Sequence, residues 1–405
     1  MNKNLARNTN FEILRIIAMV MIVAHHFAVH SGLDISQMSY TNNLWISFLR
    51  NGGKIGVNLF VLISGYFLVN KSSYKSANIL KLYIKALIYG LVLFFISRFW
   101  LGIQGPIYLV IAPFSNSTWW FLTFYFVLFL TYPFINKLIC SLDKKSYRLL
   151  IIITGALLIV PSFVFGANPI YNNVFWFFFL YIVAGYIKMF GNNIKVKPYI
   201  LLLIYFVFYV ALTVSNNALM LTQSRNFFLE FLYNITNIGI TNNIFNILLS
   251  ICFFLAFKQM KEKTNKFINI LAGSTLGVYL IHDSIFISGW LWNTLCQNSI
   301  FQSSAYLILH SLYVIPIVYI SCTLIDLLYT YTLELAVNKL LGLLNKKCLY
   351  KLDNKFNKVL ESQSKCNGED ASLDVPKDDC KVQSLNTIGN QIDDNQTNES
   401  NDKTT

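Results

Sequence analysis

The sequence predicts an all-α, polytopic integral membrane protein of about ten transmembrane helices, and three observations carry that prediction. The 405 residues are 55% hydrophobic and only 13% charged, with a mean hydropathy of +0.51, where a soluble domain carries about 25% charged residues. Apolar runs recur at a length close to the ~20 residues that cross a ~30 Å hydrocarbon core. Basic residues then fall in alternate connections, as the positive-inside rule requires.

The runs lie at 12–30, 54–70, 79–101, 119–139, 148–166, 171–190, 198–214, 235–257, 267–292 and 304–332. Lys3 and Arg7; Lys71 and Lys75; Lys144, Lys145 and Arg148; Lys188, Lys195 and Lys197; Lys258, Lys261, Lys263 and Lys266; and Lys339, Lys346 and Lys347 all fall on one side. Connections 31–43, 102–118, 166–170 and 293–303 hold no Lys or Arg. An even helix count with this asymmetry predicts a multi-pass protein with both termini cytoplasmic.

The first run exceeds the ~7–15 residues of a signal-peptide core and no A-x-A site follows it, so it reads as a retained helix. The formal charge of +13 does not indicate nucleic-acid binding, because the basic residues sit in short topogenic clusters and form no basic face with interleaved aromatics. The lipid bilayer is the partner they imply. The seven cysteines contain no CxxC pair and read as core residues or free thiols. From 352 to 405 the composition changes: eleven of the nineteen acidic residues lie beyond 352, among Asn, Ser, Gln and Thr. Such a segment lacks the apolar surface to fold alone. The expected organisation is a membrane domain over 1–351 and a polar, disordered cytoplasmic tail over 352–405. No internal repeat is present, and no oligomeric state is read from the chain.

"RIIAMVMIVAHH" in the first run places Arg15 and His26 eleven residues apart. On a helix that is ~16 Å along the axis and ~20° around it. His26 therefore shares the Arg15 stripe, His25 points ~80° away, and His30 lies one turn beyond His26. An ionisable residue in mid-membrane is costly and marks a functional site. A cation at one boundary and a base half-way across suit a ligand that is anionic at one end and reactive at the other. No metal is expected, because His25 and His26 diverge and spacing alone puts no carboxylate beside His26 and His30.

"GVNLFVLISGYFL" places Ser64 about half-way along the second run, where small residues allow close approach or leave room for a ligand. "STLGVYLIHDS" places His282 ~22 Å from a helix start near Phe267, with Tyr279 one turn earlier on the same face and Asp283 adjacent. His26, Ser64, Tyr279 and His282 fall in one slab of the membrane. Lys81 and Lys85 share one face of the third helix near the Arg15 boundary and could extend an anion site. Arg50, Lys54 and Arg98 read as a basic patch at the outer ends of the second and third helices.

These residues resemble the membrane acyltransferase-3 family over about residues 10–335. The most specific element is the Arg, ten residues, His pattern of Arg15 and His26, supported by "GVNLFVLISGYFL", "TWWFLTFYFVLFLTYP" and "STLGVYLIHDS". The chain has Asn58 where the family often has Asp, Asp283 where it commonly has Pro, and Lys81 and Lys85 near a family Arg. The resemblance implies O-acyl transfer, usually of acetyl, from cytoplasmic acetyl-CoA to a hydroxyl of a lipid-linked or exported surface glycan, in a bacterial cell membrane. It implies CoA phosphates on Arg15, Lys81 and Lys85, His26 as general base or acyl carrier, and His282 and Tyr279 to orient it or donate to the oxyanion. A carrier or flippase for glycan intermediates is the alternative, and it predicts broken helices or repeats and tolerance of Arg15→Ala.

Overall fold

The computed structural model describes residues 8–71, 74–111, 118–165, 172–191, 196–222, 226–344 and 348–365. The described chain is helical and contains no strand: α1 (Thr9–His30), α2 (Tyr40–Leu68), α3 (Ser76–Phe99), α4 (Tyr108–Ile111), α5 (Trp120–Cys140), α6 (Lys144–Phe165), α7 (Asn173–Phe190), α8 (Pro198–Met220), α9 (Phe227–Thr236), α10 (Ile244–Gln259), α11 (Lys266–Gly273), α12 (Thr275–His282), α13 (Leu307–Tyr331), α14 (Leu333–Leu344) and α15 (Tyr350–Lys365). Seven of them, α1, α3, α5, α6, α7, α8 and α13, are long and apolar enough to cross a membrane.

The other three expected runs take different forms. Helix α2 spans 29 residues and starts at Tyr40, well before the expected 54. Helix α10 has 16 residues. The run expected as one helix over 267–292 is instead two eight-residue helices, α11 and α12, followed by a π-helical turn over Trp290–Leu295. At the joint the Ser274 amide bonds to the Leu271 carbonyl, a tighter i→i−3 turn.

Helix α1 packs against α2, α10, α11, α12 and α13, which makes it central. Leu14, Ala18, Val23 and Phe27 are fully buried along it. Its start is fixed by an Asn8 cap on the Asn10 amide and by the loop before α11: the Thr9 amide donates to Lys263 O (2.8 Å), and the Asn265 amide donates to the Thr9 hydroxyl (2.7 Å). Its pairing with α2 is close because α2 presents glycines. A Cβ on Gly56 would lie 2.6 Å from the Ala18 carbonyl, and one on Gly53 only 2.3 Å from the His25 Cβ. Helices approach this closely in membranes where small residues line the contact.

A compact unit runs from Met1 to Leu360. Helix α15 crosses the position where composition changes. The Ser76 amide and hydroxyl donate to Asp353 Oδ1 (2.9 and 2.5 Å), the Tyr74 amide donates to Asn357 Oδ1 (2.9 Å), and Phe356 stacks on Tyr74. The α3 cap residue, Lys75, supplies no side-chain cap of its own, so Asp353 does this from α15. Of the stretch 352–405 expected to be disordered, 352–365 belongs to α15, and 366–405 lies outside the described residues.

Ending the chain after Lys351 should therefore cost about 1–2 kcal/mol, the scale of a lost helix cap, and lower the thermal midpoint in detergent. Ending it after Lys365 should leave midpoint and activity unchanged. Equal midpoints for the two truncations would show that α15 contributes nothing.

Candidate active site

One cavity of about 880 Å³ is lined by α1, α2, α3, α5, α11, α12 and α13 and by Glu334 of α14. Arg15, Lys266 and Glu334 belong to the ends of helices on the basic-loop side, whereas His25, His26, Lys54 and Tyr279 lie far along α1, α2 and α12. Three cations, Arg15, Lys54 and Lys266, and the carboxylate of Glu334 are among the lining residues. That balance favours an anionic ligand. Between the two ends the wall is apolar and aromatic, with Met19, Ile22, Phe60, Phe121 and Tyr125.

Arg15 is anchored by Glu12, one turn earlier, at 2.8 Å, and its side chain stays 28% exposed. The two lysines predicted beside it are placed differently from each other. Lys81 pairs with Glu334 at 2.7 Å. Lys85 does not line the cavity; its ammonium sits 2.8 Å from the fully buried Asp326, which also accepts from the Tyr89 hydroxyl at 2.6 Å. The room for Asp326 comes from Gly277, where a Cβ would fall 1.9 Å from its Oδ1.

The histidines define a proton arrangement. His282 Nδ1 lies 2.6 Å from the Val278 carbonyl, one turn back on α12. A carbonyl only accepts, so Nδ1 carries the hydrogen and Nε2 of the neutral ring is left as an acceptor. His26 Nδ1 is 2.9 Å from that Nε2 and must donate to it. His26 Nε2 therefore keeps its lone pair, on a ring that lines the cavity. This assignment follows from the hydrogen-bond network. His282 has no exposure and sits within hydrogen-bond distance of His26.

His25 is held separately: its Nδ1 donates to the Arg50 carbonyl at 2.6 Å, with its ring over Gly53. It also reaches the cavity, so the ~80° divergence on the helix does not remove it from the site. The Ser64 hydroxyl is 2.8 Å from the Phe60 carbonyl and 3.2 Å from the Tyr125 hydroxyl, and it lines the cavity wall. The Tyr279 hydroxyl is buried, lies within electrostatic reach of Asp283, and closes no hydrogen bond within normal limits. Its ring meets Phe121 and His282 edge-on. Of the predicted residues, Arg15, His25, His26, Ser64 and Tyr279 line one cavity, His282 is buried against His26, and Lys81 and Lys85 are not among its lining residues.

Sequence reading assigned Lys54 to an outer patch, yet it lines the cavity with both histidines and lies over the Trp120 ring at 5.7 Å. It also overlooked Asp326 and Glu334. A single acid inside a 25-residue apolar helix was the signal for Asp326. Asn58, at the position where the family often has Asp, is a packing residue: Trp176 Nε1 donates to its oxygen (3.0 Å) and its amide donates to Asn246 and Ser250.

The fold and the cavity define a polytopic helical membrane protein with a cationic cavity that reaches a histidine held by a second histidine. The acyltransferase domain of the acyltransferase-3 family matches residues 8–329, and the chain belongs to that family. It is a membrane acyltransferase. The matched stretch contains every cavity residue except Thr330, Tyr331 and Glu334. No curated protein and no solved structure matches the chain.

Proposed function

We propose that this chain is a bacterial cell-membrane O-acyltransferase that carries an acetyl group from cytoplasmic acetyl-CoA to a hydroxyl of a lipid-linked or cell-surface glycan. The observation that carries the reading is the single cavity with Arg15 at one end and His26 at the other. The basic loops support a cytoplasmic location for the Arg15 end and for both termini. Arg15 and Lys266 receive the phosphates of the donor, with Arg15 offering a planar fork, and the pantetheine arm runs along the apolar wall.

His26 Nε2 takes the proton of the acceptor hydroxyl as its oxygen bonds to the thioester carbonyl. The C–S bond then breaks and the imidazolium returns the proton to the CoA thiolate. A route through an acyl-histidine uses the same atoms in two steps: Nε2 displaces the thiolate, then the sugar oxygen displaces Nε2, and the freed Nε2 takes the hydroxyl proton and passes it to the CoA thiolate. In either route the oxyanion is met by the Tyr279 hydroxyl and the Lys54 ammonium. Ser64 stays with the wall that holds the thioester.

Arg15→Lys should raise KM for acetyl-CoA about ten-fold with kcat little changed, since a point charge replaces the fork. Initial rates in inverted vesicles, normalised to inserted protein, measure this. An unchanged KM would remove Arg15 from the donor site. The α11–α12 joint at the cavity is the one feature that favours a glycan carrier instead, and that reading requires glycan transport to survive Arg15→Ala without acyl transfer.

A further inference from the structure

The geometry points to a divalent transition-metal site formed by His26, His30 and Asp283, whose occupancy by Zn²⁺ switches the acyltransferase off. Asp283 Oδ1 lies 3.5 Å from both His26 Nδ1 and His30 Nε2, and the three ligand atoms all lie within 4.8 Å of one another. With Zn–N and Zn–O bonds of about 2.0–2.1 Å, a tetrahedron has ligand-to-ligand edges of about 3.3–3.4 Å. Two of the three edges are already near that value. Two imidazoles and one carboxylate select Zn²⁺ over the oxygen-preferring Mg²⁺ and Ca²⁺.

Chain geometry explains why these groups meet. His26 and His30 are one turn apart on α1, and Asp283 caps the end of α12, next to His282. His282 is pinned to His26, so the carboxylate that follows it is delivered to the same spot. His30 has 42% of its side chain exposed while Asp283 has 11%, which gives an ion an entry path at the end of α1 remote from Arg15.

The inhibitory consequence rests on the proposed role of His26 as a base. A metal on Nδ1 takes that nitrogen's lone pair, and the displaced Nδ1 proton moves to Nε2 with no net proton gained or lost. The Nε2 that accepted now donates, and His282 loses its hydrogen bond from His26. The ring can no longer deprotonate a hydroxyl or attack a thioester.

The test uses the full chain in detergent and in vesicles, with Zn²⁺ or Co²⁺ as the probe, and compares wild type with His30→Gln. His30 lies outside the donor cavity, so His30→Gln should retain basal transfer. Wild type should bind one Zn²⁺ per chain by calorimetry, and Co²⁺ should give the visible absorption of a four-coordinate site. His30→Gln should bind at least ten-fold more weakly and need at least ten-fold more Zn²⁺ for half-inhibition. Equal binding by both proteins, or none, would overturn the site. Tight, His30-dependent binding that leaves transfer unchanged or stimulates it would overturn the switch. A wild type that binds metal but transfers no acyl group in its absence would instead count against the acyltransferase reading of His26.

Discussion

His26→Ala is expected to lower acyl transfer by ~10²–10⁴-fold, the range for removal of a general base, whereas His25→Ala should keep a measurable fraction. Both rings line the cavity, so exposure to the ligand does not separate them. The difference is what orients each ring. His26 receives its tautomer from His282, a side chain with no other partner for its Nε2 in the described structure. His25 donates to a backbone carbonyl and packs on Gly53, so its loss leaves the His26–His282 pair in place. The assay is transfer from labelled acetyl-CoA, normalised to inserted protein. An inactive His25→Ala beside an active His26→Ala would reverse the assignment. His282→Gln should sit between the two, because its amide can accept from His26 but does not fix the ring through Val278.

Asp326→Leu should be the most destabilising single change, at about 3–5 kcal/mol, the cost of leaving one partner of a buried pair uncompensated. Lys85 is only 8% exposed and has Asp326 as its counter-charge. The Tyr89 hydroxyl would lose its acceptor as well. Replacing both partners, Lys85→Met with Asp326→Leu, should recover most of the loss, since an apolar pair of similar volume is often neutral or better. Thermal midpoints of the purified single and double variants measure it. The double variant also tests Lys85 as a donor contact: its KM for acetyl-CoA should change less than that of Arg15→Lys. A larger rise would put Lys85 in the donor site after all.

Much of the fold was legible because membrane helices announce themselves by hydropathy, and α1, α3, α5 and α7 fall close to the expected runs. Hydropathy failed where polar side chains are buried by pairing. Helix α2 begins at Tyr40 because Asn42 and Asn51 satisfy their amides on Gln302, Ser304 and Thr213. Averaged as polar residues, they look like a loop. That error moved Lys54: taken as the first residue of a helix it reads as a boundary cation, and within Tyr40–Leu68 it lies at mid-helix.

Helix α10 starts late for a related reason. Ile238 and Ile240 extend the apolar run, while Asn243 and Asn246 bind the carbonyls of 234, 235 and 238 and close a turn. The site was legible on one helix, where Arg15 to His26 is a matter of rise and angle. It was less legible between helices. The Asp283 carboxylate reaches His26 and His30 only through packing of α12 on α1, and the Lys85–Asp326 pair joins two helices far apart in sequence.

The proposed reaction requires the donor to enter from the side of the basic loops and its thioester to react at His26. Sealed vesicles of each orientation, given labelled acetyl-CoA outside and carrying an equal amount of protein, test that directly. Inverted vesicles, with the basic-loop face outward, should label the envelope glycan, and this labelling should disappear with His26→Ala. Right-side-out vesicles should label nothing until they are opened. Labelling by sealed right-side-out vesicles, or by inverted vesicles that carry His26→Ala, would contradict it.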